Sequence, residues 1–381
     1  MNLSVNRRIR VIEENVTLIQ RRLQGNGKIL VQQGQEVSPS DLIGRSVISA
    51  GFRRINLSNI LSVKPKDVKK HLQRSLGKVI YKGELLAYKG SGIFGGKKIV
   101  TAPTDGVLEL LDDKTGILKL KILPHQVDLP SAVFGIIEKV DHVKKEVVIK
   151  TQVTQIYGVL GSGRSREGYL KILGDRGDLI GKDRISPELD DKIILGGGLI
   201  YNEALKEAVV YGVNGIISGG INASDFKGMS GGKIKFAHSE SEVGIGVLIT
   251  EGFGTIPIGR DIFEILKNFD DKFVILEGNK KILSLPSTNP DCLKNIRKIQ
   301  LPKGWDLIPE ISEDTLVSGM KIRIIGGQYM GEQGQVISID NMVTTLPSGV
   351  ITYMITVATE SRKIKVPYKN VEIIDNLRKI S

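Results

Sequence analysis

Cysteine is almost absent from this sequence: Cys292 is the only one in 381 residues. A single thiol excludes an internal disulfide and a cysteine-based zinc site, and it fits a reducing compartment. Histidine is nearly as scarce. His71, His125, His142 and His238 are scattered without ligand spacing, so no metal centre is expected. No apolar run approaches the ~20 residues of a membrane span, and the opening MNLSVNRRIRVIEENV lacks the apolar segment of a secretory signal. A cytoplasmic protein is the expectation. Also missing is any recurrent grouping of histidine, paired carboxylate and nucleophile, so the sequence nominates no catalytic residue and no cofactor.

What the chain does have is glycine and positive charge. Glycine reaches 44 residues while aromatics stay at 5%, a balance that favours turns and short strands over long helices. Apolar content of 40% and charged content of 25% describe a folded chain. The 54 Lys and Arg against 42 Asp and Glu give a formal charge of +12. Such a field either draws in a polyanion or reflects a general preference for lysine. A chain of this length divides into about two to four domains.

The expected architecture is multidomain, β-rich α+β. Residues 1–125 read as short strands around one helix, SVKPKDVKKHLQRSLG at 62–77, with Pro65 early and Gly77 as its stop. VQQGQEVSPSDLIG and GKVIYKGELLAYK each set a glycine turn between strand-forming arms, and VTAPTDGVLELL adds a proline–glycine corner. On Gly83, Glu84, Ala102, Pro103, Gly106 and Gly116 the region resembles the barrel-sandwich hybrid of biotinyl and lipoyl domains. The carrier lysine–methionine hairpin of that family is missing, so the resemblance implies an interaction module and not a swinging prosthetic group. Residues 126–188 read as a β-rich connection. Its loop GSGRSREG, 161–168, is either an anion cradle or a turn between strands.

From 189 to 300 apolar runs alternate with helix-period segments, which predicts a small parallel α/β domain of Rossmann-like type. Expected strands lie at 192–196, 214–218, 245–250 and 273–277, with helices at 202–211, capped by Asn202, and at 260–268. Glycine-bearing loops follow three strands, and in an open parallel sheet such loops line one crevice. Gly197, Gly198, Ser218, Gly219, Asn222, Thr250, Glu251 and Gly252 are the candidate contacts there for a small anionic ligand or nucleotide. Glycines of this kind equally serve tight βα geometry.

Residues 301–319 read as a linker docked through Trp305. Residues 313–375 then alternate in short strands with glycine corners, which predicts a small closed barrel. On Gly319, Ile322, Ile324, Gly326, Gly331, Gly334 and Val336, and on the closing Val366, Pro367, Val371 and Glu372, this segment resembles the KOW motif. That motif belongs to an SH3-like barrel of transcription elongation and antitermination factors and of certain ribosomal proteins. The resemblance implies an RNA, ribosome or RNA polymerase partner. Lys321, Arg323, Lys363, Lys365 and Lys369, with Tyr329 and Tyr368, are the expected nucleic-acid contacts. The same lysines would also keep barrel strands soluble.

Overall fold

The computed structural model describes residues 3–23, 26–48, 51–90, 98–123, 125–229, 244–301 and 311–378. Trp305 lies outside the described residues. The protein is strand-rich and contains a large mixed sheet. It divides into two compact units. One comprises residues 1–18, 133–135 and 150–381, and the other residues 19–132 and 136–149.

In the larger unit the two ends of the chain meet. The leading part of strand Ser4–Arg22 pairs in parallel with Val371–Arg378 and antiparallel with Ser312–Thr315. The opening residues therefore group with the last ones, which reading 1–125 as one domain does not anticipate. Arg8 and Arg10, two residues apart, project to one face of that strand and are buried.

The middle of this unit keeps the expected alternation in part: Phe273–Glu277, expected in the parallel sheet, pairs antiparallel with Ser165–Ile172 and Ile282–Pro286, and Ser165–Ile172, expected in the connection, joins the parallel strands. Strands Ser165–Ile172, Ile193–Leu195, Gly215–Ile221 and Gly246–Phe253 run parallel, each beside the next. Helices Asn202–Val210 and Arg260–Lys267 fall where the apolar period places them. The period of two explains why the strands read as continuous apolar runs. Ile194, Ile216, Val247 and Ile249 pack with Ala204, Leu205 and Ala208, while Ile193, Leu195, Ile217 and Leu248 pack with Ile262, Phe263 and Leu266. Both sheet faces are covered, so the strands are apolar on both sides, and the buried polar residues Ser218, Thr250 and Glu251 fall toward the strand ends. Asn202 does not cap its helix, which starts after Tyr201; it donates from Nδ2 to Asp225 at 2.8 Å. Segment 161–168 is a tight connection between strands Leu160–Ser162 and Ser165–Ile172, where a Cβ at Gly161 or Gly163 would overlap the backbone carbonyl of Gly278 or Ile245.

The C-terminal part of the unit is an antiparallel ladder. Its order is Val371–Arg378, Lys321–Ile324, Gln333–Thr345, Ile351–Thr359 and Lys363–Pro367. Ile322, Ile324, Val336, Ile355, Val357, Ile364, Val366, Val371 and Ile373 form its core, together with Val5 and Leu316. Gly349, with φ +81°, turns the hairpin of TLPSGV.

The smaller unit holds a four-stranded sheet, in the order Phe52–Asn56, Ile117–Ile122, Gly106–Asp112 and Val79–Ile80. Beside it lie the pair Leu85–Lys89 with Lys98–Thr101, and a three-stranded sheet of His125–Pro130, Leu42–Ile48 and Asn26–Ile29. Leu57, Leu61, Val68, Leu86, Leu108, Leu118 and Leu120 are fully buried in one cluster. Each such leucine contributes about 1.5–3 kcal/mol. Of the expected helix at 62–77 only the 3-10 turn Pro65–His71 forms; a separate short helix, Leu57–Leu61, precedes it and ends at Ser62 in a left-handed conformation. Pro65 does stand at the start of its turn, where a missing N–H costs nothing.

Candidate nucleic-acid interface

The C-terminal strands do not present the open cationic surface expected of them. Arg323 is only 2% exposed, because its strand has three buried residues in a row, Ile322 to Ile324, instead of alternating. Lys365 is paired with Asp340 at 2.7 Å, and Lys369 donates to the Ser4 carbonyl at 3.2 Å. Tyr329 and Tyr368 pack partly into the core. Arg362 covers the Tyr329 ring, with 4.8 Å to the centroid, and Tyr353 meets Tyr368 edge-on at 6.4 Å. Lys321 and Lys363 remain exposed and make no side-chain ion pair among the described residues. Over 313–375 the charges cancel: six Lys and Arg stand against seven Asp and Glu. The segment as a whole carries no net positive charge to draw in RNA.

Arg323 belongs to a buried ionic network that also absorbs Glu251, the supposed ligand contact. Arg10 Nη1 and Nη2 donate to Glu251 Oε2 and Oε1 at 3.0 and 2.8 Å, and Arg10 Nε donates to Asp261 at 3.0 Å. Arg323 Nε lies 2.6 Å from Glu251 Oε2, and its Nη1 donates to Glu372 at 2.8 Å. The Gly259 amide completes Glu251 at 2.9 Å. Sequence spacing gave Glu251 no partner because its partners lie 241 and 72 residues away.

Burial alone would raise the Glu251 pKa, but the charges and hydrogen bonds of Arg10, with Arg323 and Gly259, outweigh it and hold the carboxyl at about 2. A depressed folded-state pKa means that the unfolded chain binds this proton first as pH falls. Glu251 therefore contributes its full stabilisation above its ordinary value of 4.5 and loses it progressively down to about 2. Urea midpoints measured across that acid range should drop steeply in the native protein and less in Glu251→Gln.

The glycine-rich strand ends do converge, as a parallel sheet requires, but the chain itself fills the space between them. Ile256 N donates to Gly198 O at 3.1 Å, Gly254 N to Ile221 O at 3.0 Å, and Gly219 N to Gly197 O at 3.0 Å. A Cβ at Gly197 would overlap the Asp178 backbone, one at Gly219 the Ile256 carbonyl, and one at Gly220 the Gly254 carbonyl. Ser218 is fully buried and donates to Gly197 O and Gly220 O, both at 3.0 Å. Thr250 is buried too, and Asn222 donates to Asp225 at 3.2 Å. Gly252 takes a φ of +140° on the bulged strand. Segments 175–178 and 254–258 occupy the place of a ligand.

The positive charge lies in the smaller unit. Its segments carry 22 Lys and Arg against 12 Asp and Glu, so +10 of the total +12 resides there. Residues 51–123 alone have 15 against 6, a surplus of +9 in 73 residues. Lys64, Lys66, Lys69 and Lys70 are exposed on and beside the 3-10 turn, and of these Lys70 pairs with Asp67 at 2.8 Å. Lys89 is spent internally, closing the carbonyl end of helix Leu57–Leu61 at Leu61 O and Ser62 O. The surplus was readable in the sequence, but only the fold says which residues to sum.

Among the described residues, no cluster of histidine, cysteine, aspartate and glutamate is able to hold a metal, and no helix is long and apolar enough to cross a membrane. No protein-family model matches the chain, and comparison with curated proteins finds no match.

Proposed function

We propose that the protein is a non-enzymatic adaptor that binds RNA or a ribonucleoprotein, such as the ribosome or RNA polymerase, through the basic β module at 51–123. The surplus of nine positive charges in 73 residues carries this reading. Charge of this density recruits a polyanion by releasing its counterions and speeds encounter. In this reading the module is a barrel-sandwich-hybrid-like platform. Support comes from Gly83 and Glu84, which bond Ala102 through Gly83 N to Ala102 O and Ala102 N to Glu84 O, both 2.8 Å. The five-strand ladder at 321–378 supports a KOW-like, SH3-type barrel for the C-terminal part. Its neutral exterior suits a protein partner better than RNA. The middle α/β region, Rossmann-like in alternation, is a scaffold with its crevice closed. A cytoplasmic location fits such a role.

The test is fluorescence anisotropy of the full chain on a labelled single-stranded RNA at several salt concentrations. Log affinity should fall with log salt at a slope of about −0.7 for each phosphate neutralised. Reversing Lys64, Lys66 and Lys69 to glutamate should weaken binding by on the order of 100-fold and flatten that slope. Reversing Lys321 and Lys363 should change little. Absence of RNA binding at low salt, or loss only in the C-terminal pair, would overturn the proposal.

A further inference from the structure

The four-stranded sheet of the smaller unit leaves one face open, and the residues on it are unusual for a face built only for stability. Its edge strand Phe52–Asn56 pairs with Ile117–Ile122, in the register Arg54↔Lys119 and Phe52↔Lys121. Like charges directly opposite on neighbouring strands repel, so Arg54↔Lys119 is a pairing that folding alone disfavours. The alternate positions Ile55, Leu118 and Leu120 point into the core, which puts Phe52, Arg54, Lys119 and Lys121 on the outer face.

Phe52 is 52% exposed there, and Lys119 Nζ stands 3.6 Å from its ring centroid. That ammonium covers one side of the ring, and half of the side chain remains exposed. Lys119 also holds Glu109 at 2.9 Å. Arg54 and Lys121 are exposed and have no side-chain partner among the described residues. Two unneutralised cations on neighbouring strands, beside an exposed ring, offer phosphate contacts next to a flat surface for an unpaired base.

Resting on the adaptor reading above, we propose that this face is a platform for single-stranded RNA, with Phe52 stacking on a base and Arg54, Lys119 and Lys121 contacting the flanking phosphates. Stacking on Phe52 gives the platform its preference for unpaired nucleotides, because a duplex keeps its bases inside. The cations supply most of the affinity.

The experiment measures binding of the full chain to a short oligouridylate, to an RNA duplex of equal length and to heparin. Phe52→Ala should weaken oligouridylate binding roughly 10-fold or more, while its salt slope, duplex binding and heparin binding stay unchanged. Phe52→Tyr should retain binding, which separates stacking from folding. Arg54→Gln and Lys121→Gln should each weaken all three ligands and lower the oligouridylate slope by about 0.7. Unchanged oligouridylate binding in Phe52→Ala and Arg54→Gln, with the native chain binding normally, would sink the platform and leave the adaptor intact. Equal losses for all ligands in Phe52→Ala would reduce the face to a plain electrostatic patch. No binding by the native chain would remove both readings.

Discussion

Glu251→Ala is expected to destabilise the larger unit by about 3–5 kcal/mol, the cost of leaving buried charge without its partner. The substitution removes the carboxylate shared by Arg10, fully buried, and Arg323, 2% exposed, and leaves only Asp261 to the first and Glu372 to the second. Neither guanidinium can shed its charge, and water has little access. Glu251→Gln should lie between, since the amide oxygen still accepts from Gly259 or from one arginine. Adding Arg323→Met to Glu251→Ala should recover part of the loss, because it removes one of the two charges that shared the carboxylate. Urea unfolding of the four proteins gives these values. A loss below about 1 kcal/mol for Glu251→Ala would mean that the ions are hydrated and the network open.

Gly220→Ala should be the next most damaging single change. Its methyl group would occupy the position of the Gly254 carbonyl oxygen, which belongs to backbone laid across the strand ends. Backbone cannot swing aside as a side chain does, so the cost should be about 3 kcal/mol or more. Gly177→Ala is the matched control. It lies in the same region, and a Cβ there would meet Pro257 only at ordinary contact distance. Thermal unfolding of the two variants should separate clearly. Nucleotides or sugar phosphates should leave the native melting temperature unmoved, since a ligand stabilises only by occupying space that exists. A shift with any of them would show that segment 254–258 opens.

Both predictions concern residues whose type was conspicuous in the sequence and whose purpose was not. Glycines after parallel strands permit either a ligand or another stretch of backbone to approach closely, and only the path of residues 254–258 decides between these. Arg323 looked like an outward barrel cation because neighbouring residues alternate. Three consecutive buried residues break that alternation, and Glu251 and Glu372 make burial of the arginine tolerable. The helix expected at 62–77 gives way to a single 3-10 turn, Pro65–His71, and Ser62 in a left-handed conformation closes the separate helix Leu57–Leu61 before it.

By itself the sequence determined the strands Ile193–Leu195, Gly215–Ile221 and Gly246–Phe253, the helices Asn202–Val210 and Arg260–Lys267, and the glycine turns. These rest on the period of side chains along one segment and on the steric freedom of one residue. It also contained the whole charge surplus, without saying which residues share a surface. Tertiary structure decided that the first strand joins the last, that Glu251 meets arginines from both ends of the chain, and that +9 collects on one small β module. Such pairings join residues hundreds of positions apart, and no local pattern encodes the partner of a charge at that distance.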